Sequence, residues 1–117
     1  MVIEDDRFLS TVIKARLEKM GAEVTQAFDG EEALANLLRQ KPNLIILDLI
    51  MPKKTGFDVL EKISNTPELK TIPVVILSHL AQESDIEKAK QLGATAYFVK
   101  VKVSIDEVVE KVASLMR

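Results

Sequence analysis

Five side chains in this sequence are of types that handle a charged group: Glu4, Asp5, Asp48, Ser78 and Lys100. Each follows a short apolar run. Met1-Val2-Ile3 leads into Glu4-Asp5, Leu44-Ile45-Ile46-Leu47 into Asp48, Val74-Val75-Ile76-Leu77 into Ser78, and Tyr97-Phe98-Val99 into Lys100. If these runs are parallel strands, all five side chains gather at one edge of a sheet. Three carboxylates there repel one another unless a cation joins them. They are hard oxygen ligands, too few to cage an ion. That suits Mg²⁺ (or Mn²⁺), which keeps several waters and shares its coordination sphere with a phosphate. Ser78 adds a hydroxyl donor, and Lys100 a mobile point charge that pairs with phosphate. The set describes a site for a phosphoryl group, with Asp48 as the candidate nucleophile.

Taken singly, each residue has a simpler explanation. Acidic residues ahead of a helix often serve its N-terminal dipole. A Ser after a strand is usually a turn residue, and a Lys there is usually solvated. A lone Asp at a strand end is more often structural than catalytic. Their conjunction on one edge is what favours a site.

The elements that must position these residues can be read along the chain. Leu9, Val12, Ile13, Leu17 and Met20 predict an amphipathic helix over residues 6–20, with Asp6 as cap and Gly21 as stop. Residues 23–27 predict a weak edge strand. Asp29-Gly30 marks a turn, Glu31-Glu32 favour a helix start, and Ala33, Leu34, Leu37 and Leu38 form its buried stripe before Lys41-Pro42 ends it. The uninterrupted run 44–47 predicts a strand buried on both faces. Pro52 and Gly56 predict a loop, and Phe57, Leu60 and Ile63 the next helix. After the buried run 73–77, residues 82–91 predict a charged helix anchored only by Ile86, Ala89 and Leu92, and therefore loosely packed. Tyr97-Phe98-Val99 reads as a third buried run. Ser104 and Glu107 have the form of a capping box. Ile105, Val108, Val109, Val112 and Leu115 or Met116 give the last helix its core face. Met20, Met51 and Met116 read as core filler. His79, the only histidine, reads as a loop residue.

Strand and helix thus alternate five times. This predicts an α/β fold: a doubly wound, five-stranded parallel sheet with five helices in three αβα layers. The expected strand order is the flavodoxin-like 2-1-3-4-5, with strands 1 and 3 flanking the crevice where such sheets bind ligands.

Composition narrows the function classes. A length of 117 residues fits one domain, 1–117. The chain is 47% hydrophobic and 29% charged, ordinary for a globular protein. It has no 18-residue apolar run and no signal-peptide pattern, so no membrane span is expected and the cytoplasm is the expected location. Cysteine is absent, which excludes a disulfide framework and a thiolate metal site. A net charge of −2 with both signs interspersed lacks the footprint of a nucleic-acid binder.

Taken in order, these residues resemble the receiver domain of two-component response regulators, the CheY-like family. The resemblance rests on Val2-Ile3-Glu4-Asp5-Asp6, Asp48-Leu49-Ile50-Met51-Pro52 with Gly56, Val75-Ile76-Leu77-Ser78 and Tyr97-Phe98-Val99-Lys100. It covers essentially the whole chain. It implies that Asp48 is the phosphoacceptor, and that Glu4 and Asp5 hold Mg²⁺ together with Asp48 and the main-chain carbonyl of Ile50. It further implies that Ser78 contacts the phosphoryl group, that Lys100 pairs with it, and that Tyr97 is the aromatic switch. The surface of helix 4, strand 5 and helix 5 would be the output face and the seat of a homodimer. The implied partner is a histidine kinase or a histidine phosphotransfer protein. Such a domain catalyses its own phosphorylation and dephosphorylation and is not a metabolic enzyme.

Two features depart from the family pattern. Lys100 is followed by Val101 where the family has proline in a cis peptide. A cis bond without proline costs about 2.5–4 kcal/mol, so trans is expected. The first strand also lacks the few extra apolar residues usual before the acidic pair. Ile50 and Leu80, each two past a site residue, border the path of an attacking water and are expected to slow dephosphorylation. A pseudo-receiver that takes no phosphate and serves as an interaction or dimerisation module is the alternative, and the complete residue set argues against it. A haloacid-dehalogenase phosphatase would need Asp-x-Asp where the chain has Asp48-Leu49-Ile50. A flavodoxin would need a Ser/Thr/Gly-rich loop where it has Glu4-Asp5-Asp6.

Overall fold

Branched apolar residues build a central sheet, and strand and helix alternate along the chain in the computed structural model, which describes residues 1–116. The elements are β1 (Val2–Ile3), α1 (Arg7–Lys19), β2 (Gln26–Ala27), α2 (Gly30–Gln40), β3 (Ile45–Leu47), α3 (Gly56–Ser64), β4 (Val74–Ser78), α4 (Glu83–Gln91), β5 (Ala96–Val99) and α5 (Ile105–Met116). A single 3₁₀ turn, Lys100–Lys102, joins β5 to α5. All strands are parallel, in the order β2-β1-β3-β4-β5. That is the expected topology.

Side chains alternate across a strand, and this splits the core into two layers. Ile3, Ile45, Leu47 and Ile76 face α2 and α3, where Ala33, Leu37, Val59, Leu60 and Ile63 meet them. Val2, Ile46, Val75 and Leu77 face α1 and α5, where Ile13, Leu17, Val108, Val109 and Val112 close the other side. Each buried Val, Leu or Ile among them contributes about 1.5–3 kcal/mol by leaving water.

The helix starts follow their caps. Asp6 accepts from the Leu9 amide at 3.1 Å, and Asp29 from the Glu32 amide at 2.7 Å. α2 therefore begins at Gly30 itself, one residue earlier than its acidic pair indicates. Thr55 and Asp58 form a reciprocal capping box at α3, and Ser104 and Glu107 exchange the expected bonds ahead of α5.

Several expectations need correction. β2 is only two residues long, although the Val2 amide still reaches the Thr25 carbonyl at 2.8 Å. The run Tyr97–Val99 is half-buried, because β5 is an edge strand with a neighbour on one side only. Leu38 is exposed, lying beyond the stripe that Ala33 and Leu37 define at i and i+4. Met20 and Met116 are exposed at helix ends, whereas Met51 does fill the core. The sparse anchoring of α4 is as expected: Ala89 is its one fully buried residue, and Gln82 caps it without a side-chain bond. Among the described residues no peptide bond is cis, so Lys100–Val101 is trans. No helix among them is long and apolar enough to cross a membrane.

Candidate functional site

Because β1, β3, β4 and β5 run in one direction, their carboxyl ends share one edge. The ladder continues one step past the strands. The Glu4 amide donates to the Ala27 carbonyl and the Asp48 amide to the Ile3 carbonyl, both at 3.0 Å. The backbone of each acid is thereby fixed by the neighbouring strand. The carboxylates of Glu4, Asp5 and Asp48 converge, with one oxygen from each lying within 4.8 Å of the others. Glu4 is 2% exposed and Asp48 4%, while Asp5 opens to solvent. Lys100, at the start of the 3₁₀ turn, reaches into this cluster: its Nζ is 2.7 Å from Glu4 Oε1 and 3.1 Å from Asp48 Oδ2. Val101 in place of proline does not prevent that reach.

The remaining carboxylate oxygens are held by main-chain amides. Glu4 Oε2 accepts from the Asp6 amide at 3.0 Å, and Asp48 Oδ1 from the Ile50 amide at 3.3 Å. The second bond sets the Ile50 peptide beside the Asp48 carboxylate. Glu4 Oε1 is buried without a well-directed hydrogen bond, despite the ammonium 2.7 Å away. Three hard oxygen donors, one of them solvent-facing and one short of a partner, fit a divalent cation that keeps part of its water shell.

Electrostatics follow from burial. Loss of solvent pushes the Glu4 carboxyl up to about 7, with the Asp48 charge adding to the rise while Lys100 and the Asp6 amide oppose it. Burial acts to lower the Lys100 pKa, but the two carboxylates outweigh it and hold the ammonium above its ordinary value.

Ser78 is fully buried, and its Oγ accepts from the Leu80 amide at 3.3 Å. The Tyr97 hydroxyl donates to the Leu80 carbonyl at 2.8 Å. Both residues thus fasten to the two sides of one loop residue. Sequence reasoning placed Leu80 near the water path but missed this link. The signal was present in the Ser78-x-Leu80 spacing, since a Ser side chain often bonds the amide two residues on. Burial raises the Tyr97 pKa, and the Asp85 charge adds to it.

His79 is exposed and stands apart from the cluster of carboxylates, as a loop residue. Also unforeseen are three exposed apolar residues on the same edge of the sheet, Phe8 (79%), Ile50 (53%) and Val101 (76%). Gly56 was expected only to mark a loop. A Cβ there would sit 2.1 Å from the Asp48 carbonyl oxygen, so glycine lets the start of α3 lie against the Asp48 backbone.

A family model described as the response regulator receiver domain matches residues 1–113. The DNA-binding dual master transcriptional regulator RpaA of Synechocystis sp. is 33% identical over 117 residues, which cover 100% of this chain and 48% of that protein. The chain spans about half the length of such relatives. Among solved structures, the receiver domain of the Francisella response regulator 1452 matches with a TM-score of 0.88 at 32% identity, covering 97% of this chain and 92% of that one. The Mn²⁺-bound form of the response regulator Rcp1 matches with a TM-score of 0.78 at 32% identity, covering 97% and 89%.

Proposed function

This chain belongs to the response regulator receiver domain family, and on that premise we propose that it accepts a phosphoryl group on Asp48 from a histidine kinase or a histidine phosphotransfer protein. Receiver domains of this family are signalling domains that bind Mg²⁺ or Mn²⁺ in an acidic pocket and interact with those two kinds of donor. The observation that carries the proposal is the buried Asp48 carboxylate, met at one sheet edge by Glu4, Asp5 and Lys100.

In this reading an Asp48 carboxylate oxygen attacks phosphorus, and the phosphorus–nitrogen bond of the donor phosphohistidine breaks with its electron pair passing to the imidazole. Such transfers need positioning and charge neutralisation more than covalent help. Glu4, Asp5, Asp48 and the Ile50 carbonyl would hold the divalent cation, which when bound neutralises charge on the transferred oxygens. The Ile50 amide orients the acceptor from its other oxygen. Lys100, already 3.1 Å from Asp48, pairs with the phosphoryl group. Ser78 exchanges its bond with the Leu80 amide for one to the phosphoryl oxygen, and Tyr97 then turns inward. The change biases α4, β5 and α5 between two arrangements, and that face serves output and homodimerisation. Ile50 and Leu80 retard the hydrolytic water, and an Ile50→Asn variant is expected to shorten the phosphoryl lifetime. A hydrolysis time course identical to the parent's would remove that role.

Phe8, Ile50 and Val101 are exposed at the sheet edge that carries Asp48, and exposed apolar residues beside the site favour a protein donor. We take residues 1–117 as one receiver domain, acting in the cytoplasm. A net charge of −2 supports leaving nucleic-acid contact to other parts of such regulators.

The test is to incubate the protein with Mg²⁺ and acetyl phosphate and weigh it intact, with Asp48→Asn beside it. One added phosphoryl mass in the parent and none in the variant is expected. No added mass, under conditions that label a control receiver domain, would instead favour a module that binds partners without phosphate.

A further inference from the structure

The Leu49–Thr55 loop carries the Ile50 peptide, yet residues 52–55 are all exposed and contribute little to the core. Mg²⁺ and Mn²⁺ sites of this kind depend on oxygen positions set to a few tenths of an ångström, because Mg²⁺ demands near-octahedral geometry at short distances. Something other than hydrophobic burial must hold the far half of this loop.

Its near half is fixed by Met51, which is buried in the core, and by the Gly56 amide, which donates to the Leu49 carbonyl at 3.0 Å. The far half rests on another element. Gly30, the first residue of α2, faces Lys54 so closely that an added Cβ would stand 2.1 Å from its carbonyl oxygen, 2.6 Å from its Cβ and 2.8 Å from its carbonyl carbon. Two of those three atoms are backbone, so no side-chain rotation relieves the overlap. Beside this contact the Lys53 ammonium lies 3.7 Å from Asp29 Oδ2, the N-cap of the same helix. Lys53 itself adopts φ +68, a left-handed conformation that is costly for a residue with a side chain and persists where surroundings enforce it.

We propose that Gly30 is a positioning residue for the metal site: its lack of a side chain lets the start of α2 seat directly on the Lys54 backbone and so fix the loop that presents the Ile50 carbonyl. The proposal rests on the reading of Glu4, Asp5, Asp48 and Ile50 as the metal ligands. Any side chain at residue 30 drives α2 and the loop apart. The loop is the weaker of the two, because α2 is tied down by the buried Ala33 and Leu37. The displacement then passes to residues 50–53 and to the ligand set.

The experiment measures Mn²⁺ binding by titration calorimetry, without phosphodonor, on the parent, Gly30→Ala and Lys53→Gln. Cooperative thermal unfolding in metal-free buffer reports folding separately. The expected result is at least fivefold weaker Mn²⁺ binding for folded Gly30→Ala, and at least twofold weaker binding for Lys53→Gln, which removes the ion pair to Asp29 and keeps a side chain on the left-handed residue. A merely structural role would lower the unfolding temperature and leave the dissociation constant unchanged, and that result overturns the proposal. If Gly30→Ala does not fold, Lys53→Gln decides alone by the same criterion. A parent that binds no Mn²⁺ overturns the metal reading and this proposal together. A parent that binds, with variants that match it, overturns this proposal only.

Discussion

β1 and β3 bury every residue they contribute, whereas β5 leaves all four of its residues half-buried. The helices beside them differ in the same sense. α3 buries Gly56, Val59, Leu60 and Ile63, but α4, equally long, buries only Ala89. The site residues are divided between these regions. Glu4 and Asp48 sit on the rigid side, where each is locked by a main-chain bond from the next strand. Tyr97 and the loop holding Leu80 sit on the loose side, joined to the site by single hydrogen bonds. The proposed function needs both, since it must hold a reactive carboxylate still and also report its modification. Elements with few buried apolar contacts open at low free energy, so the signal has a soft region to move.

The division between a rigid and a loose side is tested most severely with Asp48→Asn. Amide hydrogen exchange in the parent should change on phosphorylation within α4 and β5 and stay unchanged in β1 and β3, and the variant should lose that change entirely. A response spread evenly over the sheet would erase the distinction. Core truncation comes next. Ile46→Ala should cost about 2–5 kcal/mol. Ile86→Ala on α4, half-buried, should cost about 1 kcal/mol, less than the usual figure for a full cavity. Urea denaturation measures both, and equal losses would count against the division. A change of pH probes the rigid side directly. Unfolded Glu4 ionises near 4.5 and the folded residue near 7. Folding therefore takes up a proton between those values, and metal-free protein should lose stability as pH rises from 4.5 to 7. Glu4→Gln should flatten that part of the thermal-midpoint profile, and an unchanged slope would sink the assignment. The smallest effect is that of Tyr97→Phe. It removes one bond to the Leu80 carbonyl, worth about 1 kcal/mol, and should leave labelling by acetyl phosphate intact while weakening the exchange response in α4.

The fold was legible because β3 and β4 are continuous runs of Leu, Ile and Val ending in polar residues, a pattern with few competing interpretations. Topology followed from the alternation of strand and helix. The acidic cluster was legible for the same reason, since parallel strands bring their ends together wherever the chain puts them. What escaped depended on contacts far apart in sequence. The half-buried state of Tyr97–Val99 follows from β5 being an edge, which no local pattern states. The exposure of Leu38 depends on where α3 meets α2. The closeness of Gly30 to Lys54 joins residues whose neighbours in sequence give no hint of it, and Gly30 in isolation reads as an ordinary turn glycine.

The ion pairs of Lys100 bear on the order of events at this site. Three carboxyl groups face one ammonium, so with all of them ionised the pocket carries an excess of two negative charges. A phosphodonor brings more negative charge to the same place and is repelled from it. A divalent cation cancels the excess in a single binding event. If Asp48 takes up a phosphoryl group as proposed, entry is sequenced by charge, cation first and donor second, and added monovalent salt should relax that sequence by screening the repulsion.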